Sequence, residues 1–110
     1  MPVATASVDG QVLASADAGA YEVVEGNVYF APEAVNKTFL AGPTGTSTVC
    51  AWKGRASYYT VKVGDREVKD AAWFYPEPME KAARIKDYVA FYKNKVDVVT
   101  DGPLQDTITR

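Results

Sequence analysis

Histidine is absent from this 110-residue sequence, and cysteine occurs once, at Cys50. Without imidazole there is no Ser/His or Cys/His nucleophile pair, no histidine general base and little scope for a transition-metal site. A tetrahedral zinc site needs ligands this chain does not have. A single cysteine cannot close an internal disulfide, and nothing in its use points to an oxidising compartment. The 14 carboxylates leave an oxygen-only Mg²⁺ or Ca²⁺ site open, but neither a calcium-loop spacing nor a Gly-rich phosphate loop is present. The expectation is a domain with no metal and no cofactor.

Charge of one sign is also lacking. Twelve basic residues stand against 14 acidic ones, a net charge of −2, and neither sign forms a run. No electrostatic footprint for nucleic acid or an anionic membrane follows from that balance. The start, Met1-Pro2-Val3-Ala4, lacks the basic and apolar segments of a signal peptide, and no window approaches the roughly 18 consecutive apolar residues of a membrane span. The expected partners include neither nucleic acid nor membrane, and the expected compartment is the cytoplasm.

What is present is ordinary globular material, 47% hydrophobic and 24% charged, with seven Tyr, four Phe and two Trp concentrated in the second half. A chain of this length buries about 60–70% of its unfolded surface in one core. The sequence therefore reads as one domain over residues 1–102, with a tail over 103–110 that has no periodicity and is expected to fray or extend.

Asp9-Gly10 between Val8 and Val12-Leu13 marks a hairpin over Thr5–Ala14. A second hairpin spans Tyr21–Phe30, with Glu25-Gly26-Asn27 at its tip and Tyr21, Val23, Val28 and Phe30 facing inward. Pro32-Glu33-Ala34-Val35 opens a short helical turn, and residues 41–47 form a loop. From Thr48 the pattern is strand, with Tyr59, Val61 and Val63 alternating against Tyr58, Thr60 and Lys62. Gly64-Asp65 turns the chain, and Arg66–Tyr75 returns until Pro76 and Pro78 stop it. Ala82, Ile85, Val89 and Tyr92, widened by Tyr88 and Phe91, predict an amphipathic helix over Pro78–Tyr92, and Val96–Thr100 is a last strand. Short strands with one late helix define a mainly-β or α+β domain on antiparallel sheet.

Two clusters carry candidate chemistry. In Cys50–Tyr59, Lys53 and Arg55 suit an anion or carboxylate, with Trp52 and Tyr58 as aromatic walls; the alternative is a turn at Lys53-Gly54 with solvated cations and a core Trp. In Asp70–Pro78, alternation puts Trp73 and Tyr75 on one face and Phe74 on the other, as core or as pocket lining. Cys50 reads as a small buried hydrophobe, or as a thiol nucleophile if Lys53 or Arg55 lowers its pKa. Glu22, Glu25, Asp70 and Glu77 are available as acids or bases, with no spacing that singles out a pair.

The runs Thr48–Tyr59, Ala71–Pro78 and Ile85–Tyr92 together resemble the family catalogued as domain of unknown function 427, over roughly Val8 to Asp101. The family commonly has Pro where this chain has Ala51. The resemblance implies a β-tent, also described as Mss4-like: two antiparallel sheets pinned at one edge, similar to cereblon's ligand-binding domain and methionine sulfoxide reductase B. Relatives with a four-cysteine zinc site at that edge differ from this chain, which must hold it by packing. A nucleotidyltransferase-like label attaches to the family, but the sequence has neither a phosphate loop nor a paired metal-binding Asp. The leading expectation is a small-molecule-binding domain, catalytic or not. Its pocket would be lined by Trp52, Tyr58, Trp73 and Tyr75, with Lys53 and Arg55 at the mouth. The alternatives are a structural or protein-interaction module with the same aromatics in core or facing a partner, and a thiol enzyme using Cys50.

Overall fold

The structure, a computed structural model, describes residues 3–110; Met1 and Pro2, the start of the expected domain, lie outside the described residues. Ten strands follow in order: β1 Val3–Val8, β2 Gln11–Asp17, β3 Tyr21–Val24, β4 Asn27–Phe30, β5 Leu40–Ala41, β6 Ser47–Cys50, β7 Gly54–Val63, β8 Arg66–Phe74, β9 Val89–Phe91 and β10 Asp97–Thr100. The β1–β2 turn places both Asp9 and Gly10 at positive φ, as a tight two-residue turn requires. Glu25 and Gly26 do the same between β3 and β4, where Val24 pairs with Asn27, so the second hairpin tip is two residues rather than three.

All the pairings between these strands are antiparallel, in two sheets. A small sheet runs β10-β1-β2, and a large one runs β3-β4-β9-β8-β7-β5 with β6 also on β7. This is the mostly-β, two-sheet architecture the sequence predicts. Among the described residues no helix is long and apolar enough to cross a membrane.

The predicted helix over Pro78–Tyr92 is a correction. Glu80–Ile85 is a short 3-10 segment broken at Ala82, and Val89–Phe91 is strand β9. Between them Asp87 takes a left-handed φ of 63°, and its amide donates to Tyr75 O at 3.1 Å, which ends helical progression and turns the chain into the sheet. The apolar stripe has two owners: Ala82 and Ile85 serve the 3-10 segment, whereas residues 88–92 alternate with period two.

That alternation sorts the core. Val89 and Phe91 of β9, Phe74 of β8, and Val28 and Phe30 of β4 face the small sheet, where Leu13, Ala14, Ala16, Ala4 and Ala6 meet them. Ala90, Trp73, Tyr75, Tyr29, Tyr58 and Ala56 face the opposite way. Among the described residues no sheet lies over this second face. Trp52 from the β6–β7 turn, Ala82 and Ile85 from the 3-10 segment, and Ile108 from the C-terminal tail complete its cluster. Of the two expectations for the tail, fraying does not hold over residues 106–108, which dock as an arm with Ile108 only 7% exposed.

Candidate functional site

Gly54 opens β7 at φ +112°, a conformation L side chains rarely adopt, and a Cβ there would lie 3.3 Å from Glu77 O and 3.4 Å from Met79 N. The close approach exists because the chain leaving β8 crosses over the β6–β7 turn, fastened by a hydrogen bond from Met79 N to Lys53 O at 2.9 Å. Beneath that crossing Trp52 and Lys53 are both turned inward and buried.

A buried ammonium needs a counter-charge. Lys53 receives it from Glu25 at the β3–β4 tip, with which it is ion-paired, and its Nζ lies 5.6 Å from the ring centroids of both Trp52 and Tyr75. Burial is the largest single influence on Lys53 and works against its charge, but the hydrogen bond to Glu25, the Tyr29 and Tyr75 oxygens and the charge of Glu25 together outweigh it, and the net shift is upward. The same bond, above all other causes, holds the Glu25 carboxyl below its ordinary range. Burial raises the phenols of Tyr29 and Tyr75, so at neutral pH both are uncharged. The electrostatic partner of Lys53 is then Glu25.

The aromatic layer behind them is internally satisfied. Trp73 Nε1 donates to Tyr29 Oη at 3.1 Å, and the two rings meet edge to face at 6.0 Å. Tyr58 Oη lies 2.9 Å from Thr48 Oγ1 and 3.2 Å from Tyr92 Oη. Tyr92 is pushed up to about 12, by burial first and by its bond with Tyr58 second. A permanently charged lysine and protonated phenols make a poor set of nucleophiles or bases near neutral pH. They make a rigid cation–aromatic support instead.

Of the residues singled out by sequence, Trp52, Lys53, Tyr58, Trp73 and Tyr75 come together on this face. Arg55 does not: it points outward from β7, and its Nη1 donates to Ser47 Oγ at 3.2 Å. The two cations therefore do not flank one mouth: Lys53 belongs to the β6–β7 turn and Arg55 to β7, and Gly54 between them, at φ +112°, breaks the period-two alternation that would otherwise put positions 53 and 55 on one face. Tyr58, Trp73 and Tyr75 are buried rather than lining an open space. Cys50, expected buried, is half-buried at the end of β6. Sequence reasoning did not connect Glu25 to Lys53, since the pair is 28 residues apart and no local spacing joins them. It also did not find Tyr29, whose alternation with Val28 and Phe30 was the available signal.

An open cleft of 350 Å³ lies against the outer side of this support, lined by Ala51, Trp52, Met79, Glu80, Lys81 and Arg110. Among the described residues no group of three or more His, Cys, Asp or Glu is placed to hold a metal ion. The class so defined is a two-sheet β domain whose exposed cleft sits on a buried, ion-paired aromatic face. The chain belongs to the family described as Domain of unknown function (DUF427), whose model matches residues 3–102. No curated protein matches the chain.

Proposed function

We propose that this domain binds a small molecule with an apolar or aromatic body and an acidic group, in the cleft beside Trp52. The observation that carries the reading is the placement of a 350 Å³ cleft, a volume within the range of ligand sites, directly on the turn whose Trp52 is backed by the Lys53–Glu25 pair. Lys81 and Arg110 at its rim have no ion-pair partner among the described residues, which leaves both free to meet an anion. In this reading Lys53, Tyr58, Trp73 and Tyr75 hold Trp52 in place, and Arg55 stands outside the site. The two-sheet layout supports a β-tent in which the second-face cluster does the work of a pinning metal.

Burial of Tyr58, Trp73 and Tyr75 favours a structural role for these three, the part of the interaction-module alternative that the geometry supports. A thiol mechanism has less behind it: among the described residues no group hydrogen-bonds the Cys50 sulfur. The test is a thermal-shift screen of aromatic and aliphatic carboxylates, since a binder of the folded state must raise its melting temperature. Hits should bind Lys81→Ala/Arg110→Ala at least tenfold more weakly, about 1.4 kcal/mol, while the unliganded melting temperature stays put. Equal binding by wild type and the double variant sinks the assignment of the cleft.

A further inference from the structure

We propose that the outer edge of β3 is a docking site for an extended peptide with the pattern acidic residue, Thr or Ser, branched aliphatic, which the chain's own Asp106-Thr107-Ile108 occupies in cis. Strand β3 ends the large sheet, so one side of its backbone is open to another chain. The tail takes that side at one point. Thr107 N donates to Val23 O at 2.7 Å, and Val23 N donates to Thr107 Oγ1 at 2.9 Å.

Three consecutive side chains are each read by a different group. Asp106 Oδ1 accepts from Gly26 N at 3.0 Å. Thr107 Oγ1, besides accepting from Val23, donates to Glu22 Oε1 at 2.6 Å, and Glu22 is itself held by Arg84 Nη2 at 2.5 Å. Only a hydroxyl can accept and donate at once in this way, and a phosphate there would face the Glu22 carboxylate. Ile108 enters the aromatic cluster. The chemistry of the partner is thus written in the segment that now fills the site.

The cis occupant leaves the edge incompletely paired. Val23 N is satisfied by a side-chain hydroxyl rather than by a ladder carbonyl, and between Thr100 and Thr107 the chain bows away to leave a 380 Å³ cleft against Tyr21 and Val23. A peptide continuing along Tyr21 gains backbone bonds that the tail forgoes, the usual source of affinity in strand addition. The receptor residues also lie within the stretch matched by the family, residues 3–102, whereas the occupant lies beyond it.

The experiment uses the full chain, wild type and Thr107→Ala/Ile108→Asp, with fluorescein-labelled synthetic peptides of sequence 103–110. One peptide is unmodified, one carries Ile108→Asp and one carries phosphothreonine at 107. The released variant should bind the unmodified peptide at least tenfold more tightly than either control, and at least tenfold more tightly than wild type does, because the tethered tail competes at high effective concentration. A folded variant that binds no peptide, or all three alike, overturns the proposal. Should the variant not fold, hydrogen exchange of wild type decides. The Val23 and Gly26 amides are expected to exchange by local opening well before Trp73 of β8, and exchange of those two only through global unfolding means that the edge never becomes available.

Discussion

Lys53 shows how one buried charge is tolerated when its partner stays wet. Its side chain is 7% exposed and that of Glu25 is 54% exposed, so desolvation falls mostly on the lysine. Glu25→Gln removes the counter-charge and leaves the ammonium buried among rings, which should cost about 1–3 kcal/mol, nearer the lower figure because water reaches the Glu25 side. Lys53→Met fills the same space without charge and should be close to neutral. In the Lys53→Met background, Glu25→Gln should then change stability by less than about 0.5 kcal/mol. Urea titration of the four chains measures the coupling. Its pH dependence has a defined sign. Glu25 is lowered from 4.5, so its contribution is present above that pH and lost as pH falls through the folded value. Lys53 is raised from 10.5, so its contribution is present below that pH and lost as pH rises beyond it. The penalty of Glu25→Gln should be flat between about pH 5 and 10 and shrink in acid; a penalty unchanged at pH 2 would mean that the ion pair is not its cause.

At the scale of elements, the β6–β7 turn depends on a residue with no side chain. Gly54→Ala imposes a strained φ and pushes a methyl toward Glu77 O and Met79 N, for an expected loss of about 1–3 kcal/mol. The loss should come with a change in Trp52 fluorescence, since the crossing over Lys53 O is what seals that turn; a stability change below about 0.5 kcal/mol would show that the crossing yields freely. The same turn was legible in sequence as a Lys53-Gly54 signal, and the hairpins at Asp9-Gly10 and Glu25-Gly26 were legible for the same reason: turn chemistry is local. The alternation of Trp73, Phe74 and Tyr75 also reads correctly, because period two decides which ring faces which side. The 78–92 segment misleads because Ala82, Ile85, Val89 and Tyr92 satisfy a helical period by coincidence. What decides against the helix is tertiary: β9 fills the gap between β4 and β8, where both faces are covered and three consecutive residues are buried. Arg55 misleads because period two would put it on the same face as Lys53, when Lys53 lies in the turn and the positive φ of Gly54 breaks the alternation between them. The Lys53–Glu25 pair and the docking of Ile108 join residues 28 and some 85 positions apart, and no pattern in a single sequence encodes such a meeting.

For the whole molecule, the large sheet is a partition between two unlike cores. A radius of gyration of 13.0 Å matches the roughly 13 Å of one compact body of this length, yet the two faces are closed by different means. One is covered by a continuous three-stranded sheet through Leu13, Ala14 and Ala16, the other by a turn, a 3-10 segment and the tail. Regular structure opens as a cooperative unit, whereas irregular cover can detach by itself. Leu13→Ala should therefore lower global stability by about 2–5 kcal/mol, the usual range for a buried leucine. Ile108→Ala deletes a comparably buried aliphatic, but its loss cannot exceed the docking free energy of the tail, since beyond that point the tail simply detaches and the sheet survives. We expect no more than about 2 kcal/mol for it, below most of the range for a core isoleucine. The variant should also lose protection at Val23 and Gly26 and keep it at Trp73 and Ala90. Equilibrium urea unfolding with amide exchange measures both. If Ile108→Ala costs as much as Leu13→Ala and lowers protection everywhere, the second face is as cooperative as the first, and the tail is a structural strut rather than a detachable cover.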